Sequence, residues 1–295
     1  MNILILGGTR YMGIHLVNEL LKEGHDVTTA TRGNTTDSFG DKVERLIIER
    51  QDPASLQEVF KDKCYDVAID NIAYSSNDVR HLLDVLQTKK YILTSTVSVY
   101  SQNFHENMKE DEVDTKNHPL QWNDYEEFTY DEAKRQAEAA MFQAYPDQPS
   151  AAVRIPFIFG KDDYTERLFF YADHILNEKP MNIDNLKSRL SFIDSQEAGK
   201  FLAHVATNPV FGAINASSIG TVSLEEIITY VENNTGKKAI ISDQGTPAPL
   251  NEAPDFSLDV TLAKKSGFQF KNINDWVYPL LDHWIKESHS KTKEK

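Results

Sequence analysis

The run Tyr130-Asp131-Glu132-Ala133-Lys134 sets a phenol four residues ahead of an ammonium. On a helix, positions i and i+4 share one face, so both groups can be turned toward one site. A free phenol has a pKa of about 10 and is a poor base at neutral pH. A lysine nearby favours the phenolate and lowers that value. Such a pair can exchange a proton with a substrate hydroxyl or carbonyl. The protein has twelve tyrosines, and Tyr130 alone has a lysine four places on. A solvent-facing helix, with Glu138 paired to Lys134, would carry the same letters. Placement in the chain therefore has to decide between the two readings.

A second stretch bears on a different ligand. Ile3-Leu4-Ile5-Leu6-Gly7-Gly8-Thr9-Arg10-Tyr11-Met12-Gly13 runs a short apolar strand into a glycine-rich turn that opens a helix. Glycine lets the backbone turn sharply and approach a phosphate. The helix N-terminus adds free N–H groups and the positive end of a dipole. At the first strand–helix junction of an alternating series, this turn predicts nucleotide binding.

The elements that must hold these residues alternate along the first half. Tyr11–Lys22 reads as a helix, with Gly24 as a C-cap. Asp26–Thr31 and Val43–Ile48 read as strands, and Pro53 opens a helix to Phe60 with Asp52 as its N-cap. Asp66–Asn71 is a strand, Asn77–Leu86 a helix, and Tyr91–Ser95 a strand. Residues 101–124 are acidic and polar and predict a long loop, either a cover over the site or a surface insertion. Glu126–Ala144 predicts a helix and Ala151–Ile155 a strand. Strands separated by helices imply a parallel sheet. Beyond Gly160 the alternation weakens. Thr165–Leu176 and Leu224–Asn233 read as helices, Ser191–Asp194 and Ala213–Asn215 as strands, and residues 242–255 as a proline-rich loop. Trp276–Trp284 reads as a closing helix, followed from Lys286 by a charged, frayed tail.

Together these motifs resemble the extended short-chain dehydrogenase/reductase superfamily, the epimerase and dehydratase group. The turn Gly7-x-x-Arg10-x-x-Gly13 is similar to G-x-x-G-x-x-G with arginine for the middle glycine. That version resembles the one in atypical members, including chloroplast stem-loop RNA-binding proteins. Thr94-Ser95-Thr96-Val97-Ser98-Val99-Tyr100 resembles S-S-[ST]-x-x-V-Y, and Tyr130 and Lys134 stand as Y-x-x-x-K downstream of it. Val153 to Asp163 resembles R-x-x-x-x-x-G-P-x-D, with Lys161 in place of proline. Ser191 to Ala198 resembles F-x-H-V-x-D-x-A without its histidine. The likeness runs to about residue 235 and is strongest in the first 160 residues.

The resemblance implies an α/β fold: a Rossmann-type, doubly wound parallel sheet with helices on both faces and a smaller C-terminal substrate-binding lobe. It places the dinucleotide half at 1–160, completed by returning segments near 190–217. The substrate lobe would be 161–189 and 218–285, with a tail at 286–295. It implies Tyr130 as acid/base, Lys134 as its activator and a ribose ligand, and Thr96 as the hydroxyl that bonds the same substrate oxygen. Hydride transfer to or from a nicotinamide would be the chemistry. Gly7, Thr9, Arg10, Tyr11, Met12 and Gly13 would surround the pyrophosphate. Asp52 would meet the adenine, and Asn71, Ile72, Thr94, Pro156 and Phe157 would line the remaining cofactor track.

Cofactor preference follows from charge. The second strand ends Thr29-Ala30-Thr31-Arg32-Gly33, with no acid to take a ribose 2′-hydroxyl. Arg10 and Arg32 suit a 2′-phosphate. The expectation is NADP, with NAD as the alternative. The substrate is expected to be a small molecule of the nucleotide-sugar kind, with Arg167 and Arg189 as anion clamps. The sugar is not legible, nor is the choice among epimerase, dehydratase and reductase.

Composition narrows the setting. In 295 residues there are 31 basic and 45 acidic side chains, a net charge of −14, and one cysteine. At roughly 150 residues per domain, that length allows one large domain or two smaller ones. The charge disfavours wide contact with a phosphate backbone. A lone cysteine forms no internal disulfide and fits a reducing cytoplasm. No run of apolar residues reaches membrane-spanning length, and no histidine or cysteine spacing suggests a metal. A homodimer through helices near 77–87 and 126–145 is compatible with the superfamily and with the Ala-rich second helix. The rival reading is a non-catalytic NAD(P)-binding regulator or RNA-associated factor, favoured by the glycine turn and opposed by the charge.

Overall fold

In the computed structural model, which describes residues 1–293, the alternating segments form one seven-stranded parallel sheet. Its strands are β1 (Asn2–Leu6), β2 (Asp26–Thr31), β3 (Val43–Ile47), β4 (Val67–Asp70), β5 (Tyr91–Thr96), β6 (Ser150–Ile155) and β7 (Gly212–Asn215). The spatial order is β7-β6-β5-β4-β1-β2-β3. The chain winds outward from β1 in both directions. Its topological switch point therefore lies between β1 and β4, where ligands of such sheets bind beyond the strand C-termini.

Strand periodicity divides the core. Ile3 and Ile5 face one layer, with Leu16 and Leu20 of α1 (Met12–Lys22). Leu4 and Leu6 face the other, with α2 (Pro53–Phe60), α3 (Ser76–Leu83) and α4 (Tyr130–Ala144). Both sheet faces are buried, as expected of parallel strands. A third cluster joins α5 (Arg167–Leu176), the helix α7 (Leu224–Thr235) and a closing helix, α9 (Asn274–Lys293), and takes in Phe192 and Phe256.

Several boundaries differ from expectation. A short helical turn, Tyr125–Glu127, precedes α4, so Tyr130 is the first residue of that helix. Ser195–Thr207 is a helix, α6, that the periodicity did not reveal. It is buried on nearly every side, because it packs between the sheet and α1. At Gly199 a Cβ would stand 2.6 Å from the Leu16 backbone nitrogen, so α1 and α6 touch backbone to backbone. Phe157–Phe159 forms a strand beside Phe192–Asp194, outside the main sheet. A short α8 (Thr261–Lys265) leads to α9, which runs Asn274–Lys293. The tail expected to fray from Lys286 is therefore helical to Lys293, and its last two residues lie outside the described residues.

The acidic segment after β5 does not project into solvent. It folds back over α3 and α4. Gln136 Nε2 donates to the Pro119 carbonyl, and Gln143 Nε2 to those of Thr115 and His118. Ser76 Oγ donates to the Gln121 carbonyl, and Arg80 stands over the Trp122 ring. As a result Ala133–Met141 is an unbroken buried run. No described helix is long and apolar enough to cross a membrane.

Candidate active site

At the switch point, β1 turns into α1 through Gly7 and Gly8, both at positive φ (89° and 94°). A side chain at either position would be strained. Gly13 is needed for another reason: a Cβ there would lie 2.6 Å from the Gly8 Cα. No side chain caps α1, and no acid stands in its first turn. Its N-terminal amides and dipole are thus left to a ligand.

A cleft of about 820 Å³ opens along this turn, within the usual size of small-molecule sites. Gly7, Thr9, Arg10, Tyr11, Met12 and Gly13 line it at one end, and Arg32 joins Thr31, Asn34 and Thr35 beyond β2. Asn71, Ile72 and Tyr130 line its length. Thr94 lies just beneath, its hydroxyl donating to Asn71 Oδ1 at 2.7 Å.

The acid/base candidates meet at the C-terminal end of β5. Thr96 ends that strand, its side chain accepting from the Ser98 N–H at 3.2 Å, and the Tyr130 hydroxyl bonds to Thr96. Lys134 is one turn along α4 and buried. Its ammonium donates to the carbonyls of Ala73 (2.7 Å) and Thr94 (3.0 Å) and stands 4.6 Å from the centroid of Tyr74.

This geometry corrects one expectation. Burial raises the Tyr130 phenol, opposed by the Thr96 hydrogen bond and the Arg167 charge. Lys134 is not among the groups that act on the phenol; its ammonium donates to backbone carbonyls below the site. Burial pulls Lys134 itself down to about 8, against the carboxylates of Asp70, Asp78 and Glu138.

Other candidates part ways. Asp52 does not line the cleft. Its carboxylate accepts from the Ala54 N–H at 2.9 Å and caps α2, while Glu49, Arg50 and Gln51 line the cleft in its stead. Counting from the end of β3 would have found them, since ligands sit at strand C-termini. A residue just before Pro53 is already committed to the helix start. Arg50 is buried against Asp70 at 2.6 Å.

Arg189 is also no clamp. Its guanidinium holds Thr221 (Oγ1 at 3.0 Å, carbonyl at 2.9 Å) and Glu226 (3.1 Å), tying the Arg189–Leu190 strand to the start of α7. Arg167 opens α5 over the Phe157 ring, and its charge acts on both Tyr11 and Tyr130. Pro156 is buried at the end of β6, and Phe157 packs on Phe192 and Phe256. Sequence reasoning did not single out Tyr74, Tyr125 and Tyr164, exposed rings that line the same cleft.

Ser95, next to Thr96, rests on a buried ion pair. Ser95 Oγ donates to Glu138 at 2.5 Å, and Arg154 donates to the same carboxylate through Nε (3.1 Å) and Nη2 (2.7 Å). Neither side chain of the pair is solvent-exposed. Arg154 also reaches the carbonyls of Glu110 and Val113, fixing the segment after β5.

Comparison with known proteins agrees with this architecture. A UDP-glucose 4-epimerase of Thermotoga maritima, solved with UDP-glucose, superposes with a TM-score of 0.78 at 16% identity, over 98% of this chain and 99% of that one. A putative epimerase of Burkholderia cenocepacia gives 0.75 at 17% identity, over 97% and 98%. The Thermus thermophilus UDP-glucose 4-epimerase in complex with NAD gives 0.69 at 16%, over 96% and 99%. The chain shares the fold of these epimerases over nearly its whole length. Residues 3–84, the glycine turn among them, match the family model of the NAD dependent epimerase/dehydratase family. A curated relative, the chloroplast stem-loop binding protein of 41 kDa b from Arabidopsis thaliana, is 31% identical over 129 residues, 39% of this chain. The chain matches about a third (34%) of that relative's length.

Proposed function

We propose that this reductase-fold protein binds a nicotinamide dinucleotide in the cleft and catalyses hydride transfer at a hydroxyl or carbonyl carbon of a small substrate. One observation carries the reading: Tyr130, hydrogen-bonded to Thr96 at the end of β5, lines the same cleft as the uncapped start of α1. The glycine cradle and free helix end fit a pyrophosphate. The dinucleotide supplies the hydride acceptor or donor. Thr96 and Tyr130 hydrogen-bond the substrate oxygen, and Tyr130 gives or takes its proton. Its raised pKa suits the proton-donating role in the free protein. Lys134 is a positioning residue, joining β5, α4 and the turn after β4 beneath the site through the Thr94 and Ala73 carbonyls.

A nucleotide sugar is the substrate class we favour, since the Thermotoga structure holds UDP-glucose and Arg167 supplies a cation beside the phenol. NADP is favoured over NAD because Arg32, Asn34 and Thr35 follow β2 without an acid. Equal dissociation constants for the two dinucleotides would remove that preference. The chloroplast relative motivates a second reading, a dinucleotide-binding RNA factor, and salt-sensitive retention on an RNA column would favour it. The main test is Tyr130→Phe. Turnover of UDP-glucose, or of the substrate found by screening UDP-sugars, should be abolished with dinucleotide affinity nearly unchanged. Turnover at the wild-type rate would overturn the assignment.

A further inference from the structure

Arg10 occupies a glycine position of the superfamily turn, yet it does not simply extend into solvent. Its guanidinium carbon lies 5.8 Å from the centroid of Tyr164, a ring from the segment after the Phe157–Phe159 strand. Tyr164 meets Tyr11 edge-on at 5.9 Å. Arg10 and Tyr164 thus approach from two separate segments at the mouth of one cleft, and both line it. Acids outnumber bases 45 to 31 in this chain, yet Arg10 has no carboxylate partner among the described residues. Tyr164 is 66% exposed. An arginine without an acid, resting on an exposed ring beside an uncapped helix start, is poised for an anion.

The bases of both segments are tied down while the tips are not. The Tyr11 hydroxyl donates to the Ile158 carbonyl. Asp162 joins His15 of α1 at 3.0 Å and accepts from Ser195 Oγ at 2.7 Å. Asp163 binds the Thr165 N–H at 2.9 Å and bends the segment just past Tyr164. The Tyr164 segment is therefore anchored to the helix that the glycine turn begins. The contact left to open and close is the one between Arg10 and Tyr164.

We propose that Arg10 and Tyr164 form a clasp that closes over the pyrophosphate of a bound dinucleotide and slows its release. The proposal rests on the dinucleotide reading of the cleft. Arg10 supplies the charge toward the phosphates, and Tyr164 holds the guanidinium plane across the mouth. Tyr11 backs the ring from below.

The test is stopped-flow release of NADPH and NADH from the full chain, followed by nucleotide fluorescence on displacement with excess oxidised dinucleotide. Arg10→Ala should release both about tenfold faster, the loss of one charge-assisted phosphate contact. Tyr164→Ala should release them about threefold faster, and Tyr164→Phe at nearly the wild-type rate, since the ring face and not the hydroxyl carries the stack. The double variant should be no faster than Arg10→Ala alone, because the tyrosine acts through the arginine. Arg10→Lys keeps the charge without the plane and should be insensitive to Tyr164→Ala. Binding with release rates unaltered by either substitution would overturn the clasp alone. Independent, additive effects would do the same. A wild-type chain that binds neither dinucleotide would overturn the clasp and the reading beneath it.

Discussion

Replacing Glu138 with glutamine probes the platform under the candidate site. The change is nearly isosteric, so it removes charge and not volume. Four donor contacts converge on this carboxylate: Ser95, Thr115 and two from Arg154, at 2.5 to 3.1 Å. Removing one partner of a buried pair costs about 3–5 kcal/mol, because the other charge is left uncompensated. Arg154 keeps the Tyr100 hydroxyl (2.9 Å) and the Glu110 and Val113 carbonyls (2.9 and 3.1 Å), which favours the lower end, about 3 kcal/mol. At roughly 2 °C per kcal/mol for a chain of this size, Tm should fall by about 6 °C. Calorimetry at pH 7 on the wild type, E138Q, R154M and the double variant measures it. The double variant should lose less than either single one, since no charge is then stranded. Burial pushes the Glu138 carboxyl up, but Arg154, Ser95 and Thr115 outweigh it, and the group sits below its ordinary value. Its contribution is therefore full above the unfolded-state pKa and lost as pH falls through the folded one. The gap between wild type and E138Q should close in acid. A Tm change worth less than about 1 kcal/mol at pH 7, well short of the estimated range, would refute the reasoning.

Two other outcomes separate roles that the sequence merged. With Lys134 near 8 and the Tyr130 phenol raised above its usual value, loss of charge on Lys134 should set the alkaline limb of the rate, near pH 8, and Lys134→Arg should remove that limb. The same lysine takes up its proton more readily unfolded, so wild-type stability should rise between about pH 8 and 10.5. Asp52→Ala should cost about 1 kcal/mol in denaturant unfolding and leave dinucleotide affinity intact, the mark of a lost N-cap. Glu49→Gln should alter that affinity with little change in stability, as checked by calorimetric titration.

Local patterns were legible wherever one segment carries its own signal. The β1–α1 turn, the order of strands and helices to Ile155, and the Tyr130/Lys134 spacing all follow from short-range chemistry. Helix α6 was harder to read because its polar stripe, Gln196, Lys200, His204 and Thr207, is narrow and polar Ser195 and Glu197 are buried on the opposite side. Arg189 looked free because its partners, Thr221 and Glu226, are more than thirty residues away. The contacts of Lys134 were not legible for a similar reason: its acceptors, Ala73 and Thr94, belong to other elements. Spacing brings two groups to one face, but it cannot say which neighbour claims the charge.

The segment laid over α3 and α4 has a consequence for assembly. Two copies meeting through that helix pair would each have to strip away Leu120 and Trp122 and give up the carbonyl contacts of Gln136 and Gln143. The same segment is nailed to the interior by Arg154, through Glu110 and Val113. Peeling it off would disturb the carboxylate that supports Ser95. The expected helix-pair dimer would thus be formed at the expense of the acid/base platform. Self-association through that helix pair would first require this segment to be displaced.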